Sequence, residues 1–200
     1  PSATSPALTT IEDNGYFFRT APSDARQGQV LAKIVMDRGI SEIAVTHTNN
    51  DYGKGLTDSF SSAYTALGGK ISATVPHEDG KADYSAEVAS LDASGAEVLA
   101  VFGYVDQGGR YMIQTSLDSG AFDKFILADG MYGDSLLENI DGDLTGTFGT
   151  VPGTASNGAD IFNKIAADAG LNAGGPYTGE SYDAAALLVL ACLLYTSPSP

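Results

Sequence analysis

Between residues 23 and 139 the chain alternates helix-like and strand-like stretches, and this alternation limits its fold more than any other feature. Ser23 to Arg38 reads as a helix: Ser23 is placed to cap it, Val30, Leu31, Ile34 and Val35 form an apolar stripe, and Gly39 stops it. Ile40 to Thr46 reads as a short buried strand. Tyr52 to Leu67 is a second helix, with Leu56, Phe60, Ala63 and Leu67 at helical spacing and Gly68-Gly69 behind it. Lys70 to Val75 is strand-like and closed by Pro76. Tyr84 to Ser94 is helical with Asp83 as its cap, and Glu97 to Phe102 is the most apolar strand candidate. Gly109 to Ser119 is helical, Lys124 to Ala128 a strand, and Ser135 to Asn139 a short helix. Such a sequence predicts an α/β fold with a mostly parallel, doubly wound sheet covered on both faces.

The sheet topology gathers particular side chains. Right-handed crossovers put the carboxyl ends of parallel strands on one edge, and open α/β sheets bind ligands at that edge. Tyr52, Tyr104 and Asp129 each sit just past the end of an apolar run, so all three are expected there. Two aromatic walls and one carboxylate suit holding a small molecule with a cationic amine. Each residue also has an ordinary reading, as a rim aromatic or a turn acid.

The flanks differ from the middle. Tyr16-Phe17-Phe18-Arg19 reads as strand-like, as does the run at residues 147–153, and helices are expected at Ile161–Ala169 and from Glu180 to about residue 191. Neither flank has strands enough for its own sheet. One complete lobe is therefore expected at about 20–149, with both flanks in a second, truncated lobe. Crossing strands near 17–22 and 147–153 would form the hinge. The run 192–200, which holds Cys192, is expected to be a non-native tail resembling translated sequencing adapter.

Charge and composition narrow the function. Ten Lys+Arg against 25 Asp+Glu give a net charge of −15, which repels phosphate backbones, so no nucleic-acid partner is expected. No stretch reaches the roughly 20 apolar residues of a membrane span, so no direct membrane insertion is expected. The single cysteine excludes a disulfide framework and most cysteine-based metal sites. No metal or cofactor is expected. The chain opens at Pro1 without a methionine and reads as a fragment or processed form, with any signal peptide upstream.

Several motifs have a chemical and a plain reading. Gly133-Asp134-Ser135-Leu136 matches the signature of GDSL-type esterases, but a serine nucleophile needs a histidine base, and the chain's two histidines both lie upstream. The plain reading is a helix start with Asp134 as cap. Asp141-Gly142-Asp143 resembles the opening of a calcium loop, but Pro152 stands where the bidentate Glu is needed, so a turn is expected. His47 follows a strand and is expected to bond loop backbone, and His77, beside Glu78 and Asp79, is expected on a surface loop. Gly108-Gly109 completes no dinucleotide fingerprint and reads as a tight approach to the next helix.

The chain also resembles a known family: the periplasmic substrate-binding proteins of branched-chain amino acid ABC transporters, of the Leu/Ile/Val-binding type. The residues that carry the resemblance are Pro1 to Thr9, Phe18-Arg19-Thr20-Ala21, Asn50-Asp51-Tyr52-Gly53-Lys54-Gly55-Leu56, Gly103-Tyr104, Asp129-Gly130 and Ser181-Tyr182-Asp183-Ala184-Ala185. It implies two α/β lobes of type I periplasmic-binding-protein architecture that close about a hinge. Residues 1–19 would belong to the N-terminal lobe, 20–149 would be the complete C-terminal lobe, and 150–191 would return to the N-terminal lobe. Ser2, Ala3 and Thr4 would take the ligand carboxylate, Tyr52 and Tyr104 would form the opposite wall, and Asp129 would pair with the α-ammonium. The resemblance also implies a monomeric, extracytoplasmic, non-enzymatic protein that delivers an amino acid to ABC permease subunits. A sensor domain of the same fold is the alternative, and the esterase a remote one. Two departures stand out: the prototype has Glu where this chain has Asp129, one methylene shorter, and the family's first carboxylate-binding Ser lies upstream of residue 1.

Overall fold

The structure, a computed structural model, describes residues 1–153 and 156–196, with the side chain of Thr196 excepted. Its centre is a five-stranded parallel sheet in the order β2-β1-β3-β4-β5. The strands are β1 (Glu42–Thr48), β2 (Lys70–His77), β3 (Leu99–Phe102), β4 (Phe125–Leu127) and β5 (Phe148–Gly149). Helix α1 (Asp24–Asp37) precedes β1, helices α2 (Asp51–Ala66), α3 (Ser85–Asp92), α4 (Arg110–Ser119) and α5 (Asp134–Glu138) fill the crossovers, and α6 (Asn157–Asp168) and α7 (Thr178–Thr196) follow.

The strand runs are nearly all apolar because both faces of the sheet are covered. One face packs Ile43, Val45, Ala100, Phe102 and Ile126 against Leu31, Val35, Leu56, Phe60 and Tyr64 of α1 and α2. The other packs Ala44, Leu99, Val101, Phe125 and Leu127 against Val88 and Leu91 of α3 and Met112 and Ile113 of α4. Each of these large side chains contributes about 1.5–3 kcal/mol by leaving water. The two inner helices touch closely: a Cβ on Gly28 of α1 would lie 2.6 Å from the Phe60 backbone nitrogen of α2. At the far edge the Arg38 guanidinium covers the Phe148 ring at 3.7 Å, an aromatic–cation contact that ties α1 to β5.

Local signals explain the element boundaries. Ser23 accepts the Ala25 N–H and caps α1, Asn50 accepts the Gly53 N–H and caps α2, and Gly39 takes a left-handed φ of 77° just after α1. Asp83 accepts the Ser85 N–H at 2.9 Å at the start of α3. Gly108-Gly109 lies in a π-turn at Val105–Gly109 that feeds straight into α4, with the Gly109 N–H donating to Tyr104 O at 3.0 Å.

Four expectations are corrected. Tyr16 to Arg19 forms no strand: the Asp13 carboxylate accepts the Gly15 and Phe17 N–H groups in a turn, and Tyr16 and Phe18 are exposed. Of the two crossing strands expected at the hinge, that near 17–22 is thus absent and that at 147–153 shrinks to β5. Pro76 does not close β2, which continues to His77; proline is tolerated there because β2 is an edge strand. His77 is not on a loop but fully buried, its Nδ1 2.8 Å from the Thr46 hydroxyl and its ring edge-on to Tyr84. The last helix, read to about residue 191, runs as α7 to Thr196, and residues 197–200 lie outside the described residues. No described helix is long and apolar enough to cross a membrane.

Candidate functional site

The three strand-end residues converge as the topology predicts. Tyr52 occupies the first turn of α2, just past β1; Tyr104 leaves β3; and Asp129 leaves β4 and begins a 3-10 turn, Asp129–Met131. The rings of Tyr52 and Tyr104 stack, with centroids 5.2 Å apart and planes 30° from parallel. The Tyr52 hydroxyl donates to Asp129 Oδ1 at 3.3 Å and accepts the Gly130 N–H at 3.4 Å. Asp129 is only 6% exposed, so its hydrogen bonds have little competition from water.

The N-terminal segment forms the opposite wall. Arg19 holds it in place: its guanidinium donates to the carbonyls of Ala3, Thr4 and Ser5 at 3.5, 3.4 and 3.0 Å and to the Thr9 hydroxyl at 2.7 Å. The first N–H of α1, that of Asp24, donates to Thr4 O at 2.9 Å, and the Ser5 hydroxyl donates to Asp51 O at 3.3 Å. Thr4 is buried by these contacts, while Ser2 and Ala3 stay exposed.

Ser2, Ala3, Thr4, Tyr52, Tyr104 and Asp129 thus all line one cavity of about 460 Å³, with Tyr132 and Tyr177 among the other walls. Among the described residues that line it, Asp129 is the one charged side chain. An apolar groove of about 440 Å³ beside β4 and β5 has no buried charged group in its walls.

Sequence reasoning missed two residues here. Tyr177 donates from its hydroxyl to Asp129 Oδ2 at 2.5 Å, the short length of a charge-assisted bond. It sits just before α7 in a glycine-rich run without periodicity, so nothing marked it. The second is Asp24, fully buried with neither carboxylate oxygen bonded. Burial pushes its carboxyl up to about 7, with a further push from the Asp129 charge; the nearby Thr4 hydroxyl and the Arg19 guanidinium pull partly the other way. Asp24 follows the Ser23 cap in the first turn of α1, where an acid is ordinary, so nothing in the sequence singled it out.

The electrostatics keep the site's phenols protonated. Burial, then the Asp129 charge, raises Tyr52; burial, then its bond to Asp129, raises Tyr177; and burial raises Tyr104, with Asn50 opposing. All three therefore serve as hydrogen-bond donors at neutral pH. The crevice offers one carboxylate ringed by phenols, facing a segment of hydroxyls and backbone groups. Those groups suit a small dipolar molecule with an amine at one end.

The other motifs show no separate chemistry: a helix does start at Asp134, but Gly133 and not Asp134 occupies its N-cap position, with no side-chain cap bond. Neither histidine is bonded to Ser135: His47 Nδ1 lies 2.9 Å from Thr48 O and His77 Nδ1 lies beside Thr46, so no triad forms among the described hydrogen bonds. Asp143 accepts the Thr145 N–H within a turn.

A parallel doubly wound sheet with a crevice at its carboxyl edge defines a ligand-binding α/β protein. Comparison with known families makes this specific: residues 1–193 match the periplasmic binding protein family, and the chain belongs to it. A Leu/Ile/Val-binding protein homolog 1 from Brucella melitensis is 31% identical over 207 aligned positions, covering 100% of this chain and 54% of that protein. An amino acid binding protein from Pseudomonas aeruginosa is 28% identical across 84% of this chain and 46% of its own length. Among solved structures, a leucine-binding protein, LivK, from Thermotoga maritima superposes with a TM-score of 0.72 over 86% of this chain and 51% of that one, at 21% identity. The chain thus spans about half the length of the relatives it matches.

Proposed function

We propose that this chain is part of an extracytoplasmic solute-binding protein that captures an amino acid or a similar small amine-bearing solute and delivers it to an ABC permease. The observation that carries the reading is Asp129: a buried carboxylate, held by two phenols, at the carboxyl edge of the sheet and across a cavity from the Ser2–Thr4 segment. A zwitterion brings two opposite charges, and both need partners once water is excluded. Asp129 would take the ammonium, and the hydroxyls and N–H groups of Ser2, Ala3 and Thr4 the carboxylate, with Tyr52 and Tyr104 as the aromatic wall. The names of the relatives support an amino acid, and branched-chain ones first.

In this reading residues 20–149 form one lobe, 1–19 and 150–191 belong to the other, and 192–200 is not native. Ligand seated on one lobe favours the closed form through contacts made only there. The protein acts as a monomer and not as an enzyme. Calorimetric titration of the full-length protein with the twenty amino acids and small amides tests the reading. Saturable binding of at least one amino acid is expected; heat from none of them contradicts it.

A further inference from the structure

We propose that Asp24, as a neutral carboxylic acid behind the crevice wall, is a positioning residue that turns the Thr4 hydroxyl toward the carboxylate of a bound amino acid. The inference rests on the reading of Ser2, Ala3 and Thr4 as the carboxylate partners. Thr4 lines the cavity and Asp24 does not, and the two are joined by the Asp24 N–H, which donates to Thr4 O at 2.9 Å.

The surroundings of Asp24 are rich in acceptors and short of donors. Asp24 is fully buried, and neither of its carboxylate oxygens has a hydrogen-bond partner. Gln27, one turn further along the same face of α1, also buries an oxygen without a partner, while its amide nitrogen donates to Thr150 O and Oγ1 at 3.1 and 3.3 Å. The Arg19 guanidinium is committed to the carbonyls of Ala3, Thr4 and Ser5 and to the Thr9 hydroxyl, and makes no bond to the acid. An ionised carboxylate in this place is uncompensated, whereas a protonated one carries its own donor.

From the N-terminal segment Asp24 meets the Thr4 hydroxyl and the Arg19 charge, and from the turn after β4 it meets the Asp129 charge. The phenols of Tyr52 in α2, Tyr104 past β3 and Tyr177 before α7 also feel its charge, but all three stay protonated at neutral pH and do not titrate with it. Burial, helped by Asp129, pushes Asp24 up to about 7. Below that value its O–H donates to Thr4 Oγ, and the Thr4 O–H is left for the solute carboxylate. Above it the Thr4 O–H turns to the Asp24 carboxylate, and the solute carboxylate meets a second negative charge in place of a donor. The Tyr177 oxygen, another acceptor beside Thr4, is present in both states and does not alter the comparison. The solute's ammonium pulls the other way, being attracted to an ionised Asp24. It sits on Asp129, however, and the Asp129 charge acts on Asp24 less strongly than the Thr4 hydroxyl does, so the carboxylate end decides. Capture is tight while Asp24 holds its proton and weakens as pH rises through neutrality.

The test is calorimetric titration of the full-length protein with L-leucine, L-isoleucine and L-valine at pH 6, 7 and 8, in paired buffers of different ionisation heat so that protons taken up are counted. The wild type is expected to bind roughly three- to tenfold more weakly at pH 8 than at pH 6, tenfold being the limit if only the protonated form binds, and to take up a fraction of a proton on binding at pH 8. Asp24→Asn keeps a side-chain N–H donor at every pH. It is expected to bind at pH 6 as the wild type does, to hold that affinity to pH 8 and to take up no proton. Asp24→Ala is expected to be equally flat but weaker throughout. A wild-type affinity that is constant or rises with pH, or an Asp24→Asn slope equal to the wild-type slope, overturns the proposal while leaving the amino acid site standing. Where none of the three probes binds, the tightest of the other amino acids replaces them, and binding of none of the twenty removes that site and this proposal together. The wild-type slope and proton count decide the matter if Asp24→Asn does not fold.

Discussion

The hydroxyl of Tyr52 reaches Asp129 Oδ1 at 3.3 Å across 77 positions of sequence, and it accepts the Gly130 N–H in the same arrangement. A single phenol therefore satisfies a buried acid and a backbone donor at once. Tyr52→Phe removes both bonds and keeps the ring stack on Tyr104. Urea unfolding at pH 7 is expected to show a loss of about 1–2 kcal/mol, the usual cost of a buried polar group losing its partner. Wild-type stability in the variant would show that the Tyr52 hydroxyl is not bonded in this way.

Gly130 lies where two backbones nearly meet. A Cβ there would stand 2.3 Å from Gly103 O and 3.0 Å from the Tyr52 hydroxyl. Gly130→Ala is expected to push the β3 and β4 exits apart, lower the melting temperature and weaken ligand binding. Gly133→Ala is the matched control, because its Cβ would meet only Ser135 Oγ at 3.6 Å. The control is expected within about 0.5 kcal/mol of wild type, as for an unconstrained surface change. Equal effects from the two substitutions would contradict the close approach.

Two buried titrating groups should oppose each other in the pH dependence of stability. Burial raises Asp24 from 3.8 to about 7, so between these values the native chain holds a proton that the unfolded chain releases, and stability falls as pH rises. Burial lowers His77 from 6.5 to about 4, so over that interval the unfolded chain holds the extra proton and stability rises with pH. At roughly 1.4 kcal/mol per unit each slope is sizeable, and between pH 4.5 and 6.5 they largely cancel. Asp24→Asn is expected to leave a curve that climbs with pH and to stabilise the protein most above pH 7. His77→Gln is expected to leave a curve that descends. Unfolding free energies measured across this range would contradict the assignment if the Asp24→Asn curve ran parallel to wild type.

Much of the site was legible because strand ends are legible. Each of Tyr52, Tyr104 and Asp129 lies just past the end of an apolar run, and parallel topology alone brings such positions to one edge. The helices were equally plain, as the cap at Ser23 and the stop at Gly39 are local chemistry. Asp24 and Tyr177 were not legible, because what distinguishes them is long-range. One is an acid stripped of partners where α1 meets the N-terminal segment, and the other is a phenol carried in from just before α7. His77 misled for a related reason: its acidic neighbours suggest a loop, but Thr46 and Tyr84, distant or out of register in sequence, give it a buried place. Tyr16 to Arg19 has the alternation and aromatics of a strand but no partner strand among the described residues, and Asp13 turns the chain instead.

The central claim is that Asp129 receives the ligand's amine, and its affinity cost is measurable in one comparison. Calorimetric titration of full-length wild-type protein and Asp129→Asn with the tightest-binding amino acid is expected to show binding weakened by about 2–5 kcal/mol, the cost of removing one partner of a buried charge pair. An Asp129→Asn protein that folds and binds that ligand as tightly as wild type would contradict the account.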